Sequence, residues 1–406
     1  MKVSIPYGFE EVEVEIPDEN YAGTYSVKAP PEVDADQIIE DALSNPIGRK
    51  LEDIRADSTI IVINDHTRLT PTAKMLDHIL PRIRGRIKLI VATGTHRSPT
   101  EDELRVILGH YYEELRKDTV IHDSKKSSFR YLGETTRGTP IELNEELFKH
   151  GLIVTLGSIE PHYFAGFTGG RKSIAPGVCS YRCVEHNHKM IFDPNSALAK
   201  LKGNPVHEDL EEIVRKLSEE KEIFSLNVTI TGEGKPFSAA AGDIFKSFYK
   251  LVDEVRRYYE VRAPKADVVI AVAPGNMGVD LYQAQKALEP AKFIVKEGGI
   301  IILVAPCWSG IGPRNFYDLL AGRTREEVRE ILRKEFKLGY HKAIKIVETL
   351  DRARVFIVTD LDPKIPRDIG FEPFKDIQSA INRAIEESGG KIIILPDASI
   401  SIPSGQ

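Results

Sequence analysis

The densest run of chemistry-bearing residues is Glu160-Pro161-His162-Tyr163-Phe164-Ala165-Gly166-Phe167-Thr168-Gly169-Gly170-Arg171-Lys172-Ser173. Three glycines in this run let backbone approach a ligand closely. A phosphate loop needs Gly directly before its Lys, and Arg171 stands there instead. Lys172 therefore reads as a reactive or ligand-facing amine, not a nucleotide-triphosphate lysine. A glycine-rich surface loop is the plainer alternative, and the density of polar groups disfavours it. The stretch from Glu160 to His188, centred on Lys172, is taken as the catalytic core.

Two more runs could serve the same site. Asp65-His66-Thr67-Arg68-Leu69-Thr70-Pro71 sets an Asp and an Arg ahead of a Pro-initiated helix. A guanidinium grips a carboxylate or phosphate bidentately, and a helix N-terminus adds partial positive charge. An N-cap Asp with a local ion pair is the structural alternative. Gly94-Thr95-His96-Arg97 allows a turn from which His96 projects as an acid or base near neutral pH.

Cys179, Cys183, His186 and His188 invite a zinc reading. Their spacing fits no common ribbon or finger, and the region reads as helical over Tyr181–Met190. On a helix His188 points away from the other three, so one histidine acting as a single metal ligand fits better. Gly278-Val279-Asp280-Leu281-Tyr282-Gln283-Ala284-Gln285-Lys286 puts Tyr282 and Lys286 one turn apart, with Gln283 beside them. A solvated first turn explains that last run equally well.

The elements carrying these residues alternate short β-branched runs with helical periodicity, the pattern of a parallel, doubly wound sheet. Strands are expected at Thr59–Asn64, Ile87–Val91, Gly151–Leu156 and Asn227–Thr231, with helices over Ala35–Leu43, Thr72–Leu80 and Ile244–Tyr259. Val261-Arg262-Ala263-Pro264-Lys265-Ala266-Asp267 reads as the linker. A second set follows, with strands Val268–Ala273, Ile300–Val304, Val355–Val358 and Lys391–Leu395. Helices Leu281–Val295, Arg325–Glu335 and Ile377–Glu387 lie between them. The fold class is thus α/β, with two domains, 1–262 and 267–406, each a mainly parallel Rossmann-like sheet flanked by helices. The apolar C-terminal tail can pack back on the N-terminal domain. Ligands of open α/β sheets bind beyond the strands' carboxyl ends. The motifs follow such ends, so the active site is expected in the interdomain cleft.

A length of 406 residues favours two domains. Hydrophobic content of 41%, charged content of 29% and a net charge of −6 describe a globular protein without the basic face of a nucleic-acid binder. No run approaches the roughly 18 apolar residues of a membrane span. Met1-Lys2-Val3-Ser4-Ile5 leads into strand-like sequence rather than a signal-peptide block, so a cytoplasmic enzyme is expected. Three cysteines do not make a disulfide framework.

Taken in order, Asp65-x-Thr67-Arg68, Gly94-Thr95-His96-Arg97, Glu160-Pro161-His162-Tyr163, Gly169-Gly170-Arg171-Lys172-Ser173, His188 and Tyr282-Gln283-x-x-Lys286 resemble the nickel-dependent lactate racemase family. The resemblance runs through both domains. It implies racemisation or epimerisation of lactate or a related 2-hydroxy acid, by hydride transfer to a nickel-pincer nucleotide through a 2-keto acid. That cofactor is a nickel pyridinium-3,5-bisthiocarboxylic acid mononucleotide, supplied by cofactor-making enzymes. By resemblance Lys172 tethers it covalently, His188 is the protein's nickel ligand, and His96 and His162 are the acid/base pair. Arg68, Gln283 and Lys286 hold cofactor and substrate anions, with Asp65 on the nucleotide and Tyr282 near the substrate. Trp308 matches no pocket residue, and Cys179 and Cys183 receive no role. Two readings compete: a zinc-dependent hydrolase or lyase using Cys183, His186 and His188, and a non-catalytic protein binding a small anion or nucleotide.

Overall fold

The structure, a computed structural model, describes residues 1–334 and 339–404. The chain forms two compact units, Ala29–Tyr258 and a second made of Met1–Lys28 with Tyr259–Gln406.

In the first unit, the strand Ser58–Asn64 is the centre of a six-stranded sheet. Its Ile60-Ile61-Val62-Ile63 run is fully buried, as expected of a parallel strand covered on both faces. From one edge the order is Pro236–Gly242, Glu222–Ile230, Leu152–Ile159, Ser58–Asn64, Arg86–Ala92 and Thr119–Ile121. All neighbours are parallel except the first pair. The expected strands appear, although the one expected at Asn227–Thr231 begins earlier, at Glu222. Helix Thr72–Ile79 lays Met75, Leu76 and Ile79 on the sheet, and Ile244–Tyr259 spans the expected residues.

The second unit holds a six-stranded, all-parallel sheet: Glu372–Phe374, Arg354–Val358, Val295–Val304, Ala266–Val272, Ile392–Leu395 and Tyr21–Thr24. The last strand corrects the expected 1–262 boundary. Tyr21–Thr24 bonds alongside Ile392–Leu395, and the hairpin Lys2–Tyr7/Glu10–Glu15 adds Ile5 and Val14 to the core of this unit. The tail is corrected too. Ile402–Pro403 pairs with Glu260–Val261, inside its own unit. The expected helix Leu281–Val295 is broken into Leu281–Ala284, a tight turn at Gln285–Ala287, and Leu288–Ile294, after which Val295 opens a strand. Helix Arg325–Lys334 matches its expectation as far as Lys334; Glu335 lies outside the described residues. Helix Tyr340–Arg352 was not foreseen.

Candidate active site

Three carboxyl-terminal strand ends and one helix of the first unit carry most of the residues of interest. Past Asn64 the chain turns through Asp65–Arg68, closed by Arg68 N–H donating to the Asp65 carbonyl at 3.2 Å. Asn64 Nδ2 donates to Thr70 Oγ1 at 2.6 Å, and Thr70 Oγ1 lies 2.8 Å from Ser158 Oγ. This ties the loop to the neighbouring strand. Past Ala92, Gly94 adopts φ +55° and its N–H donates to the Gly177 carbonyl at 2.9 Å, leading into His96.

His96 Nδ1 lies 2.7 Å from Asp65 Oδ2. The other Asp65 oxygen accepts from Thr67 N–H at 3.1 Å and Thr67 Oγ1 at 2.6 Å. Burial alone would raise the Asp65 carboxyl. The hydrogen bond and charge of His96, with the Thr67 donors, outweigh it and hold the group below the usual carboxylate range. Asp65 thus holds His96 in this arrangement.

The loop after Leu152–Ile159 is stapled by Thr168, whose hydroxyl donates to the Ser158 carbonyl at 2.7 Å and accepts from Glu160 N–H at 2.9 Å. Gly169 and Gly170 have φ +68° and +52°. A Cβ on Gly169 would stand 2.7 Å from the Ser158 carbonyl oxygen, and one on Gly170 would stand 2.8 Å from Phe248 Cβ. Only glycine lets the turn Gly170–Ser173 seat against the sheet. Arg171 is wholly buried and donates to the carbonyls of Phe167 (2.9 Å), Gly169 (3.4 Å) and Ala165 (2.7 Å), with its guanidinium over the Phe248 ring. It clamps the loop that carries His162.

Lys172 emerges next to this clamp. Burial, then the charges of Arg68 and Arg171, hold its amine well below the ordinary lysine range. Its Nζ lies 5.8 Å from the Phe164 ring centre. Phe164 also meets His162 edge-on at 4.6 Å and His188 at 5.2 Å, so it joins three of the expected site residues. Sequence reasoning passed over Phe164, whose only signal was its place between His162 and Lys172. Among the described residues neither Arg68 nor Lys172 makes an ion pair, so no carboxylate offsets the effect of Arg68 on the Lys172 amine.

His162 Nδ1 accepts from Ala165 N–H at 3.2 Å, so in the neutral ring Nε2 carries the proton. His188 comes from helix Tyr181–Lys189, capped by Ser180 accepting from Cys183 N–H. Burial first, then the charges of Lys172 and His96, press its pKa down to about 3, so the ring is a neutral imidazole. His186, by contrast, is bonded to Thr139 Oγ1 at 2.9 Å. Among the described residues no group of three His, Cys, Asp or Glu side chains could hold a metal ion, which counts against the zinc reading.

In the second unit, Tyr282, Gln283 and Lys286 start from the loop after Ala266–Val272, with Asp280 Oδ1 accepting from Gln283 N–H at 2.7 Å. Lys286 Nζ donates to Gln283 Oε1 at 2.6 Å. Lys342, which the sequence reading missed, lies buried with Nζ 3.9 Å from the Tyr282 ring centre and donates to the Tyr282 carbonyl at 3.0 Å. A lysine on the apolar face of Tyr340–Arg352 was its available signal. Trp308 lies against Phe9 with ring centres 5.6 Å apart and planes tilted by 33°, and Cys179 and Cys183 are buried free thiols.

Residues 7–199 match the lactate racemase N-terminal domain and residues 261–402 the lactate racemase C-terminal domain. The lactate racemase of Thermoanaerobacterium thermosaccharolyticum is 31% identical over 97% of this chain and 97% of its own. That of Lactiplantibacillus plantarum is 31% identical over 97% of this chain and 98% of its own. The lactate racemase apoprotein structure from T. thermosaccharolyticum superposes with a TM-score of 0.93 at 30% identity, covering 100% of both chains. A Thermotoga maritima protein structure shares the fold, with a TM-score of 0.69 at 18% identity over 93% of this chain and 100% of its own. On these matches along nearly its whole length, the chain belongs to the lactate racemase family.

Proposed function

We propose that the protein racemises lactate or a related 2-hydroxy acid, with a nickel-pincer nucleotide tethered at Lys172. One observation carries the reading: the lowered amine of Lys172 lies within electrostatic reach of Arg68 and of the neutral imidazole of His188, and His188 within reach of the His96–Asp65 pair. The residues fit such a group. An amine whose pKa is lowered by burial and by neighbouring cations suits the covalent attachment of such a group. His188 Nδ1 lies 3.2 Å from Asn187 Oδ1, which leaves Nε2 as the donor for nickel. Arg68 supplies charge for an anionic group. When bound, the cofactor supplies an acceptor for the hydride on the substrate's α-carbon.

The rest falls to side chains of this chain. The α-C–H beside a carboxylate is a very weak acid, so removing the hydroxyl proton is the easier task for a protein base. Asp65 fixes the Nδ1–H tautomer of His96, turns its Nε2 toward the substrate, and stabilises the imidazolium formed when Nε2 takes the hydroxyl proton. The product of proton and hydride removal is a planar 2-keto acid, open to return of hydrogen on either face. His162 serves the opposite direction. With Nδ1 accepting from Ala165, its Nε2–H can hydrogen-bond the substrate oxygen, and taking a proton there requires that contact to be released. Arg68 grips the carboxylate.

The experiment is intact mass and chiral analysis of protein co-expressed with the cofactor-making enzymes. A mass adduct on Lys172, together with interconversion of one 2-hydroxy acid's enantiomers, is expected. An unmodified Lys172 in protein that still racemises would refute the tether, and full activity in His96→Ala would refute the base.

A further inference from the structure

The helix that presents His188 is backed by polar groups that no step above uses. Asn187, wholly buried, donates through Nδ2 to Asp209 Oδ2 at 2.8 Å and to the Val206 carbonyl at 3.1 Å. Both partners are acceptors, which fixes the amide's orientation. Its oxygen must therefore face His188 Nδ1, 3.2 Å away. An amide oxygen can only accept, so the proton of the neutral ring is on Nδ1 and the lone pair on Nε2.

Asp209 is wholly buried and makes no ion pair among the described residues. Its Oδ1 accepts from Thr135 Oγ1 at 2.5 Å, and Oδ2 accepts from Thr139 Oγ1 at 2.9 Å as well as from Asn187. Three donors thus converge on a carboxylate that only accepts. Burying such a group is costly unless its hydrogen bonds are complete, and here each oxygen is served. Placing it behind an amide polarises that amide, so the oxygen facing His188 becomes a stronger acceptor.

We infer that Asp209 and Asn187 are positioning residues, a buried relay that fixes the Nδ1–H tautomer of His188 and strengthens Nε2 as a metal donor. The metal half rests on the proposed role of His188. The tautomer half stands on hydrogen-bond directions alone. Metal-bound histidines are oriented and made more basic by a carboxylate or carbonyl behind the other ring nitrogen, and here that carbonyl belongs to a side chain that is itself tied to a carboxylate.

The test uses nitrogen NMR of ¹⁵N-histidine-labelled full chain without nickel at neutral pH, with His188→Gln identifying the resonance. Wild type is expected to show a protonated Nδ1 and an unprotonated Nε2 for His188. Asn187→Leu, of similar volume without the acceptor, is expected to move most of the proton to Nε2, and Asp209→Asn to give a mixture. A wild-type proton on Nε2, or a folded Asn187→Leu with the wild-type pattern, overturns the inference. The wild-type measurement decides the tautomer even if both variants fail to fold. In cofactor-loaded protein, nickel affinity is expected to fall about 10–100-fold in Asp209→Asn. Unchanged affinity overturns the donor half. An unmodified Lys172 in wild type would instead overturn the proposed function and leave the tautomer result intact.

Discussion

Replacing Asp65 by Asn changes one atom's chemistry while keeping the side chain's shape. In the native loop Oδ1 accepts from both Thr67 N–H and Thr67 Oγ1, and Oδ2 faces His96 Nδ1 at 2.7 Å. The Thr67 N–H can only donate, so the new amide must turn its oxygen to Thr67 and its NH₂ to His96. That NH₂ demands a lone pair on Nδ1, and the ring proton moves to Nε2, where the hydroxyl proton should be received. An inverted tautomer in a His–carboxylate pair costs about 10⁴ in kcat, about 5 kcal/mol in barrier. The His96 side chain is 51% exposed, so water can stand in for part of the lost interaction, and a loss of about 10²–10⁴ is expected. The assay is kcat from enantiomer ratios on cofactor-loaded protein, with the Lys172 adduct followed by intact mass to separate base loss from cofactor loss. A kcat within tenfold of wild type would refute the dyad. The pH dependence has a defined sign. Asp65 is depressed in the fold, so its contribution to stability is present above the ordinary carboxylate range and lost as pH falls through its folded value. The stability gap between wild type and Asp65→Asn should therefore close in acid.

Lys172→Met should stabilise the metal-free protein by about 0.5–2 kcal/mol near neutral pH while abolishing cofactor attachment. The folded amine is depressed, so the unfolded chain binds the extra proton and wild-type stability rises with pH; the variant's advantage should shrink toward the ordinary lysine range in urea titrations. Arg171→Met leaves the carbonyls of Ala165, Phe167 and Gly169 without their donor, and a cost of about 2–4 kcal/mol should appear in the same titrations. Arg68→Ala should raise KM for the hydroxy acid by about 10–100-fold with a smaller change in kcat, as expected for loss of a charge-assisted contact of about 1.5–3 kcal/mol. An unchanged KM would show that the guanidinium holds something other than the carboxylate.

Much of the fold was legible because buried parallel strands are nearly continuous β-branched runs, as in Ile60-Ile61-Val62-Ile63 and Ile392-Ile393-Ile394-Leu395. Tyr21–Thr24 was not legible. It is a short, half-buried edge strand containing Gly23, and it gains its identity only by pairing with Ile392–Ile394 at the far end of the sequence. The break after Ala284 was hidden as well, because helical periodicity continues across Gln285–Ala287 while the backbone tightens there. Within the site, the types and order of Lys172, His96, His162 and His188 were readable along the chain. Their partners were not: Asp65 beside His96, and Phe164 among three site residues.

Sequence by itself determined which groups this protein brings to its chemistry: an amine after a Gly-Gly-Arg turn, histidines at strand ends, and an arginine ahead of a helix. Those choices are local, written in residue type and spacing. Tertiary structure decided the state in which each group works. The protonation of Lys172, the tautomer of His96 and the direction of the His188 lone pair depend on burial and on hydrogen-bond partners brought near by folding. Desolvation and hydrogen-bond direction act over a few ångströms of space, and distance along the chain carries almost no information about either.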